Sequence, residues 1–262
     1  MDTGEPLGTW QQVGYGALGV VGTGALAELL VRKDIITTPG FPVPSDVISK
    51  LGTLLGDSIF WTEIGFTFRE WLLALVMATV VGVVLGGLMG AFTKVFIAFE
   101  LPVEVFRVLP SVALGPILML VIGTGMLPLS LTVALACVWP ILLNTMYGVR
   151  ATDPTAVQSG RSFGLSNLGI FFRIKLPSAM PFAFTGLRVA ASIGLIVAVS
   201  SELLIGNGRG IGGFILVRTS QASDLDLVYA ATLMAGLMGI AISMLLTVVD
   251  AKVFGWKKGL AQ

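Results

Sequence analysis

Few residues among these 262 could do chemistry. There is no histidine, which removes the commonest general base and metal ligand together. The one cysteine, Cys137 in VALACVWP, excludes a disulfide framework and a CxxC centre and reads as a small buried hydrophobe. No nucleophile–base pair stands out, so no catalytic residue and no metal ligand set is assigned, and an enzyme is disfavoured. Gly208, Gly210 and Gly213 formally match GxGxxG, but a dinucleotide site needs a preceding strand and a helix packed on a sheet. That segment reads as an outer turn or re-entrant piece between two apolar runs. No Gly-x-x-x-x-Gly-Lys-Ser/Thr occurs, so the chain does not cradle ATP phosphates itself.

What remains is a handful of polar groups in apolar surroundings. Apolar residues make up 55% of the chain and charged ones 12%, about half the usual charged share. Mean hydropathy is +0.93, which points to a polytopic membrane protein. Net charge is +1, too small a field to recruit nucleic acid. Ionisable groups at membrane depth are costly and often functional. Glu202 ends an apolar run and suits a gate residue, unless interfacial water accounts for it. Arg107 either faces an anionic substrate or snorkels to lipid phosphate. Glu28 is expected to pair within the bundle, and Asn144 and Thr145 to bond between helices. Arg107, Pro110, Asn144 and Glu202 are thus the candidate gate or path residues.

The elements that position them are membrane spans of roughly 20 residues. Six are predicted, at 13–31, 70–91, 105–123, 128–148, 182–204 and 227–249, giving an all-α bundle. The third is interrupted by Pro110 and Pro116, tolerable where neighbouring helices cover the freed carbonyls. MDTGEPLGTW lacks a basic n-region, so the first run is read as a retained span. Lys and Arg in the loops divide ten against six in favour of the side that holds 150–181 and both termini, which places that side in the cytoplasm. The organisation is then an N-terminal tail (1–12), a first span (13–31) and an external loop (32–69). A core (70–250) and a cytoplasmic C-terminal tail (251–262) follow. Within the loop, Ser45 is expected to cap an interfacial helix with Val47, Ile48, Leu51, Leu54 and Leu55 on one face; packing on the bundle is the other reading. Ala78, Gly82, Gly86 and Gly90 form a small-residue stripe, suited to packing inside one bundle or to a dimer seam.

Residues 158–181, QSGRSFGLSNLGIFFRIKLPSAMP, form a polar island between two spans. Asp153-Pro154 starts a helix, aspartate as N-cap and proline in the first turn. Gly164 ends it in the left-handed conformation. Ser166 caps a second short helix, expected to end at Leu176-Pro177, with Pro181 setting the entry to the next span. Two short helices joined at a glycine make an elbow. Val157, Phe163, Leu165, Leu168, Phe171 and Phe172 offer apolar contacts beside Arg161, Arg173 and Lys175. Such a ridge suits docking in a groove of a soluble partner better than plain solvation does.

This stretch resembles the cytoplasmic loop of permease subunits from bacterial ABC importers, with the pattern Glu-Ala-Ala, three residues, Gly, nine residues, Ile-x-Leu-Pro. Gly164, Ile174, Leu176 and Pro177 stand at the matching spacing. Gln158, Ser159 and Gly160 occupy the Glu-Ala-Ala positions, so the acid is missing while small residues remain. VEVFRVLPSVALGPILMLVIGTG (103–125), PILLNTMYGVRATDP (140–154), LPSAMPFAFTGLRVA (176–190), GRGIGGFI (208–215) and FPVPSDVISKL (41–51) are similar to the sulfonate/nitrate/taurine-type permeases.

The resemblance implies a type I importer (MetI-like) bundle with a coupling-helix elbow. Gln158, Ser159, Gly160, Arg161, Ser162, Phe163, Gly164, Leu165, Ile174, Leu176 and Pro177 would couple it to an ATPase. It further implies two ABC ATPase subunits that bind the ATP and Mg, a second permease copy forming a homodimer, an extracytoplasmic solute-binding protein, and surrounding bacterial inner-membrane lipid. The chain itself needs no cofactor. The cargo implied is a small organic or inorganic anion such as a sulfonate, taurine or nitrate. A self-contained secondary transporter or channel using Glu28, Glu202 or Arg107 is the competing reading.

Overall fold

A computed structural model describes residues 8–36, 40–206, 208–221 and 224–254. The tail at 1–12 is therefore described only from Gly8 on, and the tail at 251–262, with Lys257 and Lys258, lies outside the described residues beyond Phe254. All regular elements among the described residues are helical. They are α1 (Thr9–Arg32), α2 (Pro44–Leu55), α3 (Ser58–Ala91), α4 (Thr93–Val108), α5 (Ser111–Ile122), α6 (Met126–Arg150), α7 (Pro154–Ser162), α8 (Asn167–Ile170), a π-helical segment (Phe171–Lys175), α9 (Leu176–Ile205), α10 (Gly210–Gln221) and α11 (Leu225–Val253). Five are long and apolar enough to cross a membrane, or six spans result if α4 and α5 count as one.

The centre is a three-helix sandwich of α3, α6 and α9. Ala74 and Ala78 of α3, Val133, Cys137 and Ile141 of α6, and Ala190, Ala191 and Ala198 of α9 are all within 1% of complete burial. Small residues on the facing surfaces let the backbones approach. A side chain at Gly86 would strike the carbonyl of Leu142, and one at Gly82 would strike Ile141. The small-residue stripe is thus spent inside one bundle, not on a dimer seam.

Three predicted elements differ from what is observed. Span two begins at Ser58, twelve residues before position 70, because Asp57 caps it by accepting from the amide of Ile59 at 2.8 Å. The helix simply runs on through Glu63, Thr67 and Glu70. Span three is not continuous: α4 and α5 meet at 96°. Leu109, preceding Pro110, is extended at ψ 130°, as the proline ring demands. At 12 residues, α5 rises about 18 Å, well short of a bilayer core. The second elbow helix does not stop at Leu176-Pro177, nor does Pro181 mark the entry to the span. The chain passes through the π-helical segment directly into α9, with Pro181 inside the helix. A proline lacks the amide for an i−4 bond, and the wider π turn immediately before Pro177 absorbs that mismatch.

α2 packs on the bundle. Leu54 is fully buried beside Phe60, Ile211, Ala230 and Ala231, with Val47 and Leu51 packed against the same cluster; Ile48 and Leu55 remain outside. Burying a leucine of this kind contributes about 2 kcal/mol. Ser45 is not the cap; Val43 holds that place and Pro44 opens the helix. The hydroxyl and amide of Ser45 instead donate to Glu28, at 2.9 and 3.0 Å, while Glu28 pairs with Arg32 at 2.6 Å. Glu28 therefore links α1 to α2 and does not pair inside the bundle.

Candidate functional site

The two ends of the sandwich are built differently. At one end sits the elbow. Asp153 accepts from the amide of Thr155 at 2.8 Å, closing the start of α7. Gly164 follows α7 at φ +77°, a conformation that costs an L side chain about 1–2 kcal/mol. Ser166 then accepts from the amide of Gly169 at 3.1 Å and starts α8. The base of the elbow is packed. Ile170 and Phe171 are buried, and Phe171 lies against Phe92 between α3 and α4 at 6.2 Å. Gly160 is buried against Ile174, where a methyl group would meet Ile174 Cδ1 at 2.6 Å. The outer side is bare: Phe163 is 86% exposed, Leu168 62% and Phe172 61%. Ser159 and Ser162 share that outward side with Phe163, whereas Leu165 is half-buried. Gln158 and Arg161 are exposed too, and line a cavity of about 470 Å³ beside α7. Ile174 lies within the π-helical segment, and Leu176 and Pro177 open α9.

At the opposite end, α10 begins with three consecutive amides, and each is taken by a side chain. Gly210 N–H donates to Glu63, Ile211 N–H to Thr67 Oγ1 at 2.9 Å, and Gly212 N–H to Glu202 Oε2 at 2.9 Å. Helix N-termini attract anions because their first amides lack internal partners. Here the chain supplies its own. The glycine-rich run is thereby explained: Gly210 has φ +80° and abuts the Glu202 carboxyl, and Gly212 abuts the carbonyl of Val199. Glu202 is completely buried, so interfacial hydration does not account for it. Beside it lies Glu70, also fully buried, its carboxyl facing that of Glu202.

Glu63, Thr67 and Glu70 escaped the reading of the sequence. Their spacing of i, i+4 and i+7 was the available signal, since it places all three on one helix face. The other path candidates are not gathered with Glu202. Arg107 is half-exposed in the last turn of α4, 3.8 Å from Glu104, and Pro110 stands at the α4–α5 bend. Asn144 donates to the carbonyl of Pro140 at 2.8 Å, and Thr145 to that of Ile141 at 2.7 Å. Both bond within α6, not between helices, because a short donor on a helix reaches the carbonyl one turn back.

The described residues thus form an all-helical bundle with several helices apolar enough to cross a membrane and a packed elbow at one end. The chain belongs to the family of binding-protein-dependent transport system inner membrane components, whose model matches residues 78–255. It is 28% identical to the nitrate import permease protein NrtB of Leptolyngbya laminosa over 77% of this chain and 71% of that protein. It is 25% identical to the taurine transport system permease protein TauC of Escherichia coli K12, over 89% and 88%. The fold is also that of a chain in the inward-facing MetNI methionine ABC transporter. The TM-score there is 0.66 and the identity 13%, covering 74% of this chain and 96% of that one. A bacterial ABC transporter importing alginate matches with a TM-score of 0.64 and 14% identity, over 93% and 98%. The chain is thus an inner-membrane ABC permease with the type I importer fold.

Proposed function

We propose that this permease forms half of the translocation path of an ATP-driven importer for a small anion of the nitrate, sulfonate or taurine kind. A solute-binding protein delivers the anion, and separate ATPase subunits grip the elbow at 150–181. The observation that carries the reading is the contrast within the elbow. Its base is locked by Phe171, Ile170 and the Gly160–Ile174 contact, while Phe163, Leu168 and Phe172 project without cover. Exposed aromatic side chains on a rigid, capped support are suited to a groove in a partner.

The mechanism follows from the connections. α7 follows α6 after the short turn at 151–153, and α8 runs through the π-helical segment into α9 without a break in the helix. A partner that closes on ATP and Mg would move the elbow as a rigid body and carry the cytoplasmic ends of α6 and α9 with it. Hydrolysis would reverse the movement. Because α3, α6 and α9 bury their small faces on one another, one chain offers one wall of a path, and a second copy supplies the other. The anionic cargo is supported by the nitrate and taurine relatives, and the cytoplasmic placement of the elbow by the excess of Lys and Arg on its side.

The test is Gly164→Val in the reconstituted complex. No atom crowds that position, so the substitution acts only through the backbone at φ +77°. Uptake and substrate-stimulated ATP hydrolysis are expected to fall about tenfold or more while the chain still inserts. Undiminished coupling, or uptake that needs no ATPase, would contradict the reading.

A further inference from the structure

Beside the elbow lies the cavity of about 470 Å³ between α7, the end of α6 and the α3–α4 junction. We propose that it is a binding site for a phosphate-class anion, which goes beyond the transport reading and does not depend on it. Three cations line it, Arg150, Arg161 and Lys175, and no carboxylate does. Of the neutral groups among them, Gln158 and Thr93 can donate hydrogen bonds, while Thr152 gives its hydroxyl to the carbonyl of Val149 at 2.9 Å. A neighbouring cavity of about 190 Å³ shares Arg161 and Lys175 and is also without a carboxylate.

The excess of cations on this side explains why cations are present, but not why three converge on one concavity. Each raises the cost of the others, and among the described residues neither Arg161 nor Lys175 has an ion-pair partner. Arg150 is fixed with its guanidinium 3.9 Å over the ring of Phe96, which orients a planar donor without neutralising it. An oxyanion with several acceptors would satisfy this set, since Arg binds phosphate through two parallel bonds and Lys as a point charge. The volume falls in the range of small-ligand sites. Met89 and Gly90, in the last turn of the span α3, form the opposite wall. The opening therefore lies at the end of a membrane helix, where lipid headgroups are found, and it is reachable by a soluble phosphate as well. Occupied, the site would tie α7 to the α3–α4 junction and set the stance of the elbow.

The experiment is native mass spectrometry on the intact transporter, released from detergent after exposure to phosphatidylglycerol, to phosphatidylcholine, or to inorganic phosphate alone. The proteins compared are wild type, Arg150→Gln, Lys175→Gln and the charge-preserving Lys175→Arg. If a headgroup is the ligand, phosphatidylglycerol is retained over phosphatidylcholine. If a soluble phosphate is the ligand, adducts form in the phosphate arm without lipid selectivity. In either case affinity is expected to drop roughly fivefold for each cation removed and to persist in Lys175→Arg. Lys175→Arg also shows that loss in Lys175→Gln is not misfolding. Binding in neither arm, or binding that the two glutamine substitutions leave unchanged, would overturn the proposal.

Discussion

Thr67 on α3 donates its hydroxyl to Glu202 on α9 at 2.7 Å, and both side chains are fully buried. The same hydroxyl oxygen accepts from the amide of Ile211, so one side chain joins α3, α9 and α10. Removing Glu202 would orphan the amide of Gly212 and leave the Thr67 hydroxyl only the Glu63 carbonyl at 3.3 Å. An unsatisfied buried donor costs about 1–3 kcal/mol. Glu202→Ala is therefore expected to lose roughly 2–5 kcal/mol and to free the start of α10. Trypsin cleavage after Arg209 would report it by becoming faster. Glu202→Gln, which keeps an oxygen to accept from Thr67 or from the amide of Gly212, should be much milder. Equal damage from both substitutions would contradict this.

The closest helix contact predicts a steric effect. A side chain at Gly86 meets the backbone carbonyl of Leu142, which cannot rotate away. Gly86→Val should part α3 from α6 and cost about 3 kcal/mol or more, seen as a lowered melting temperature in detergent. Gly65→Val on the same helix, where nothing lies within 4 Å, should leave that temperature nearly unchanged.

A pH effect is expected at Lys50 and Asp224, which join α2 to the start of α11 at 2.8 Å. The hydrogen bond from Lys50 holds the Asp224 carboxyl below its usual value, and the same bond raises the Lys50 ammonium. A depressed acid stabilises fully above its unfolded pKa, near 3.8, and loses that contribution as pH falls through the lower folded value. The raised lysine contributes fully below its unfolded value, near 10.5, and fades above it. Stability of Lys50→Met relative to wild type should thus be flat between those limits, with the gap closing in acid. A gap that widens in acid would refute the pairing.

Assembly gives a further expectation. Cysteine-free cross-linking of tagged and untagged chains should capture two copies in one complex. Recovery only with a different permease would replace the homodimer by a heterodimer.

Much of this architecture was readable from residue order, for physical reasons. Lipid demands long apolar runs, so α1, α6, α9 and α11 announce themselves. Helix caps are local, so Asp153, Gly164 and Ser166 mark the elbow without knowledge of anything distant. What escaped is non-local. Glu63 and Thr67 look like loop polarity because their partners stand more than 130 residues downstream. Pro177 looks like a stop because proline usually is one, and only a π turn ahead of it lets the helix continue. Pro110, read as a tolerable interruption, breaks the third span outright.

The central claim is that a separate motor grips the elbow through its bare ridge. A photo-cross-linking amino acid at position 163, which is 86% exposed, measures this most directly in membranes of cells making the whole transporter. The account predicts a single dominant adduct between this chain and an ATP-binding subunit, weakened when Leu168 or Phe172 is changed to aspartate. An unadducted chain in membranes that transport normally would contradict it.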